Sequence, residues 1–160
     1  MNNIEYVESN DMLSLAKKLQ ERYFPFIGNV DLDEVYFVEM IGYKPEKAPV
    51  WQMSGLTQQW ARNLIESNSQ PKNYCFAAWS DGWSDFQQAK KEWIIFRSLY
   101  SISPGGNGKL RPYDVQEYGF IVEYFVRIGI GPYWQFEDEL PSLLEGNNIL
   151  PLVLPMKDEE

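Results

Sequence analysis

The sequence predicts a single α+β domain, and three observations predict it. Apolar residues recur at helical spacing from Met12 to Tyr23. Residues 34–41 and 74–79 are dense in β-branched and aromatic side chains. Two further stretches with helical stripes, around Trp93 and Tyr118, are separated by the breaker run Ser103-Pro104-Gly105-Gly106. Helices and strands mixed in this way fit a small, mostly antiparallel sheet of about three strands with an N-terminal helix and two central helices. A chain of 160 residues is one domain in length. The expected division is a domain over 1–145 and an extended C-terminal tail over 146–160.

Each element has its own reason. Ile4–Val7 allows one short extended segment. Ser9, Asn10 or Asp11 offers a side-chain oxygen to cap the first helix. Met12, Leu13, Leu15, Ala16, Leu19 and Tyr23 then form its apolar stripe, and Pro25 stops it by forcing the preceding residue out of the α region. Glu34–Ile41 is a strand by its β-forming content, and Pro45 and Pro49 break the chain after it. Val50–Met53 is a short strand, and Tyr74–Trp79 a buried one. Residues 54–68 are open between helix and loop. The next helix starts at Ser84 or Asp85, with Phe86, Ala89, Trp93, Phe96 and Tyr100 as its stripe and Gln88, Lys91, Glu92 and Ser98 off it. The last helix runs inward along Val115, Tyr118, Val122, Phe125 and Ile128. Leu140–Glu145 reads as one or two further helical turns. The tail Ile149–Met156 is apolar but broken by Pro151 and Pro155, so it docks as an extended edge segment or meets a partner.

Composition removes several functions. A net charge of −9 disfavours direct nucleic-acid binding, which needs clustered Lys and Arg. Cys75 is the one cysteine, so no intrachain disulfide forms and a reducing, cytoplasmic setting is expected. The start Met1-Asn2-Asn3-Ile4-Glu5 has no basic and apolar signal pattern, and no apolar run approaches the ~18 residues that span a bilayer. There is no histidine, which excludes a Ser–His–Asp or Cys–His nucleophile. Asp81 and Asp85, or Glu137, Asp138 and Glu139, are oxygen donors without the spacing of a Ca²⁺ loop. Gly105-Gly106-Asn107-Gly108-Lys109 lacks the spacing of a phosphate-binding loop.

The order helix, strands, helix, Gly-containing loop, helix resembles that of the phage metallopeptidases, small zincin-like domains related in plan to the SprT group. The resemblance covers about residues 8–134. It is carried by Leu15–Tyr23, Met53-Ser54-Gly55-Leu56, the strand Asn73–Trp79, the helix around Trp93, and Tyr133-Trp134. Its most specific part is Gly108-Lys109-Leu110-Arg111-Pro112-Tyr113-Asp114-Val115-Gln116-Glu117-Tyr118, which looks like the family's Gly-Lys-x-Arg-x-His-Asp-x-x-Glu-Phe segment.

The resemblance implies a zinc site built on a His-Glu-x-x-His helix. Two His four residues apart reach one Zn²⁺, the adjacent Glu polarises its water, and a later His completes the set. On this alignment the first His falls at Arg97, the Glu at Ser98, the second His at Ser101 and the later His at Tyr113. All four are replaced, so no catalytic residue is intact and no zinc or other cofactor is expected. A replacement polar cluster is expected instead. In it the Arg97 guanidinium stands near the vacated cation position, faced by Tyr113 and by Asp114 or Glu117. The expected function is a non-catalytic, phage or mobile-element type binding or regulatory domain with a protein partner and no membrane. Two alternatives are an acidic inhibitor mimicking DNA and a hydrolase with a rebuilt carboxylate site.

Overall fold

The computed structural model describes residues 4–56, 72–103, 108–110, 121, 124–125, 134 and 140–145. Strand β1 (Glu5–Glu8) leads into helix α1 (Asn10–Arg22), which the Ser9 hydroxyl caps by accepting from the Met12 N–H at 3.2 Å. Met12, Leu15, Ala16 and Leu19 are its buried stripe, as the spacing predicts. Pro25 does not end helical structure. It opens a second short helix, α2 (Phe24–Ile27), because proline's fixed φ suits the first turn of a helix. A 3-10 turn at Leu32–Glu34 then feeds β2 (Val35–Ile41).

β3 (Trp51–Gly55) and β4 (Tyr74–Trp79) complete a four-stranded sheet in the order β1-β2-β4-β3. The extended segment at the N-terminus is its fourth strand. The two outer pairings are antiparallel and the central pairing, β2 with β4, is parallel. β4 and the first four residues of β2 are buried on both faces. Val35, Phe37, Tyr74, Phe76, Ala78 and Met53 pack under the helices, while Tyr36, Val38 and Cys75 form a second cluster with Leu56 on the far side. Such burial matches the near-continuous apolar sequences of these strands. It also pushes the Cys75 thiol up to about 12, so the residue is an inert core group.

Ser80-Asp81-Gly82 continues from β4 into a short helix, α3 (Ser80–Ser84). The long helix α4 (Gln88–Tyr100) therefore starts later than Ser84 or Asp85, and Phe86 precedes it. α4 lies against α1 and α2 on the core side of the sheet. Phe96 meets Tyr23 and Phe26 at ring distances of 5.5 and 5.8 Å, and Trp93 meets Phe125 at 4.5 Å. Enclosed from Glu92 to Leu99, α4 buries residues that a one-sided stripe leaves outside, among them Glu92 and Ser98, and Lys90 is buried as well. Ile121, Tyr124 and Phe125 are helical. The rest of that stripe, residues 57–68 and the tail lie outside the described residues. No helix among the described residues is long and apolar enough to cross a membrane.

Residues 140–145 are not helical. Their backbone groups are taken by side chains of α1 and α4. Trp93 Nε1 donates to the Pro141 carbonyl, and Tyr23 Oη donates to that of Leu143. Arg22 donates to the Leu144 carbonyl, while Glu92 accepts from the Leu143 N–H and the Ser142 hydroxyl, both at 2.8 Å. A helix needs those same groups for itself, and Pro141 has no N–H to give it.

Candidate functional site

The site of interest is the C-terminal half of α4, where Arg97 meets Trp51 of β3. Arg97 and Ser98 lie in its last turn and Ser101 is its C-cap, and all three are buried. Arg97 is 6% exposed, and its guanidinium carbon sits 5.3 Å from the centroid of the Trp51 ring. Trp51 is the first residue of β3 and also stacks on Phe76 in β4. A cation held over an indole face is attracted by the ring's quadrupole, more so when water is removed. Arg97 is thus directed inward and not into bulk solvent.

The two serines are committed elsewhere. Ser98 Oγ donates to the Ile94 carbonyl at 2.7 Å, and Ser101 Oγ donates to the Ser98 carbonyl. Both bonds close within α4, the usual solution for a buried hydroxyl on a helix.

The end of α4 is fixed by the chain that returns beside it. Ile102 and Leu110 form an antiparallel bridge, and the Ser103 N–H donates to the Lys109 carbonyl at 3.0 Å. Tyr74 Oη donates to the same carbonyl at 2.9 Å; burial raises the Tyr74 pKa, and its bonds to the Gly108 and Lys109 backbone partly oppose that. Gly108 has φ 80°, a left-handed conformation that favours glycine. Its carbonyl meets Gly55 of β3 so closely that a Cβ at Gly55 would overlap it. Two glycines thus let the loop after α4 butt against the end of the edge strand, next to the motif positions.

Zinc does not fit these residues. An arginine has no lone pair for a metal. The serine hydroxyls are turned to helix carbonyls, and neither replaces a carboxylate base. Among the described residues no three His, Cys, Asp or Glu side chains group as metal ligands. Tyr113, Asp114 and Glu117 lie outside the described residues. The structure brings Arg97, Ser98 and Ser101 together and adds Trp51, which sequence reasoning had placed only as a strand residue. Its local signal was weak, since an aromatic at a strand start is ordinary core material.

Sheet, buried helix and returning loop together define a small α+β domain whose central helix packs on α1 and α2 and meets the edge strand β3 through Arg97 and Trp51. The chain belongs to the phage metallopeptidase family: the model described as "Putative phage metallopeptidase" matches residues 4–146, spanning every motif position. No curated protein and no solved structure matches the chain.

Proposed function

We propose that this chain is a non-catalytic member of its family, a binding or regulatory domain that has exchanged a zinc ion for a guanidinium. The observation that carries this is Arg97, buried beneath Trp51 at the first motif position, in a chain without histidine. Arg97 supplies a fixed positive charge where the relatives hold a divalent cation, and Tyr113 with Asp114 or Glu117 supplies its acidic or phenolic neighbours. A buried cation requires such partners, because leaving it alone costs several kcal/mol. The partner is a protein, and the setting is the reducing cytoplasm, in keeping with a single buried thiol.

Zinc loading tests the proposal. Purified protein incubated with Zn²⁺ and freed of excess should retain none in stoichiometric amount by elemental analysis. The variant Arg97→His, Ser98→Glu, Ser101→His, Tyr113→His should retain zinc. One zinc held per unaltered chain, with a peptidase activity that a chelator removes, would overturn it.

A further inference from the structure

Glu92 leaves one oxygen unused. The residue is 2% exposed, and Oε1 takes both of its hydrogen bonds, from the Ser142 hydroxyl and the Leu143 N–H. Among the described residues Oε2 has neither a hydrogen bond nor an ion pair. A buried carboxylate oxygen without a donor is costly and calls for a bound group that supplies one. Glu92 borders a cleft of about 610 Å³ between α1 and α4, a size that holds a small molecule. Glu21 and Glu145 border it too, and Arg22 beside them donates to the Leu144 carbonyl at 2.9 Å. Among the described residues no three carboxylates group as metal ligands, so the fitting donor is an N–H cation.

Two donors stand beside that oxygen's cleft. Gln88 lies about one turn before Glu92, on the same face of α4. Lys18 borders the cleft from α1. Neither side chain has a hydrogen bond or an ion pair among the described residues. Both also border a second cleft, of about 460 Å³, which Met12, Leu15 and Trp83 line with apolar surface. Asp11 and Glu39 border this second cleft, and their carboxylates likewise have no partner among the described residues. Lys91, the other cation there, lies over the Trp83 ring at 5.7 Å. Asp11 is separated from Lys18 by about 10 Å of helical rise. The joined clefts therefore present acid, base and acid in turn, with apolar surface between the last two. A lysine side chain spans about 6 Å from its α-carbon to its ammonium, and a hydrogen bond adds about 3 Å, which matches that rise.

We propose that the joined clefts bind a free basic α-amino acid, lysine or arginine. Its α-ammonium donates to Glu92 Oε2. Its α-carboxylate accepts from Lys18 Nζ and the Gln88 amide. The aliphatic stem lies over Met12, Leu15 and Trp83, and the side-chain cation meets Glu39 and Asp11. Each charge of the ligand thus faces an opposite one, and charge-assisted bonds of this kind are the strong ones. The ligand's net positive charge also suits a chain of charge −9. Glu92 and Arg97 are about 140° apart around α4, so this site is separate from the motif positions and independent of the zinc exchange.

NMR titration of the full chain tests this. Lysine should bind one per chain and saturate below about 10 mM. Three analogues each lack one charge: ε-aminocaproate the α-ammonium, cadaverine the carboxylate, and norleucine the side-chain ammonium. Each should bind at least about tenfold more weakly than lysine. Matched variants assign each charge to its residue. Glu92→Gln keeps an oxygen for Ser142 and Leu143 but replaces Oε2 with a donor, and should erase lysine's advantage over ε-aminocaproate. Lys18→Met should erase the advantage over cadaverine, and Glu39→Gln that over norleucine. Lys17→Met, which borders neither cleft, should bind lysine as the unaltered chain does. The proposal is overturned by any of three results: no saturable binding of lysine or arginine, which would leave only water at Oε2; an analogue that binds as tightly as lysine; or a folded Glu92→Gln that still prefers lysine to ε-aminocaproate. The analogue comparisons use the unaltered chain and decide the outcome where a variant fails to fold.

Discussion

Glu92 and Ser98 sit on the same helix and are both almost fully buried, at 2% and 1% exposure, yet their polar atoms go to different places. Glu92, in the first half of α4, accepts from Ser142 and from the Leu143 N–H, about fifty residues along the chain. Trp93 next to it reaches Pro141, and Tyr23 and Arg22 reach Leu143 and Leu144 from α1. Ser98 and Ser101, in the second half, bond only to carbonyls of their own helix. One half ties distant parts of the chain together; the other has its hydroxyls satisfied locally. The long-range polar links of α4 therefore come from its first half and not from Ser98 and Ser101.

Mutations in the two halves should separate widely. Trp93→Ala removes a fully buried ring packed on Phe125 and Trp134 together with the bond to Pro141, and should cost about 3–5 kcal/mol in urea denaturation. Glu92→Ala strands a buried N–H and a hydroxyl, and should cost about 2–3 kcal/mol by the same measurement. Arg97→Met removes a buried charge from the Trp51 face and should cost only about 1–2 kcal/mol. Ser98→Ala should shift stability by no more than about 0.5 kcal/mol, because its hydroxyl serves only its own helix. A loss at Ser98 as large as that at Glu92 would break the comparison.

Alkaline pH sharpens it from another side. Burial, opposed in part by the neighbouring Arg22, holds Tyr23 at about 12 instead of 10.0, and burial holds Cys75 at about 12 instead of 9.0. The unfolded chain therefore releases these protons first. Stability due to the two groups is fully present below pH 9 and is lost as pH rises from 9 to 12. Urea midpoints measured between pH 8 and 11 should fall over the upper part of that range. Tyr23→Phe should flatten the fall above pH 10, after an initial cost of about 1 kcal/mol for the bond to Leu143.

Much of the fold is legible in the sequence. Tyr74–Trp79 reads as a strand to the residue, because a run apolar on both sides has no competing helical stripe. α1 reads from its serine cap and its stripe together. The start of α4 does not read, since Ser84 and Asp85 look like caps while the chain takes a separate short helix first, and the true cap, Gln87, makes no side-chain bond. Leu140, Leu143 and Leu144 have helical spacing, but their segment's backbone is held by groups more than forty residues away. At the candidate site, the absence of histidine is visible by inspection. The inward turn of Arg97 is not, because nothing local distinguishes it from a surface arginine.

Composition and short-range pattern are properties of the chain as a string. They settle that the chain has no imidazole and where the two central strands lie. Folding alone decided that the central strand pair is parallel, that Glu92 clasps residues 142–143, and that Arg97 lies under an indole. Each depends on which surface meets a side chain from far along the chain, and burial on a helix enclosed from Glu92 to Leu99 no longer follows its own periodicity.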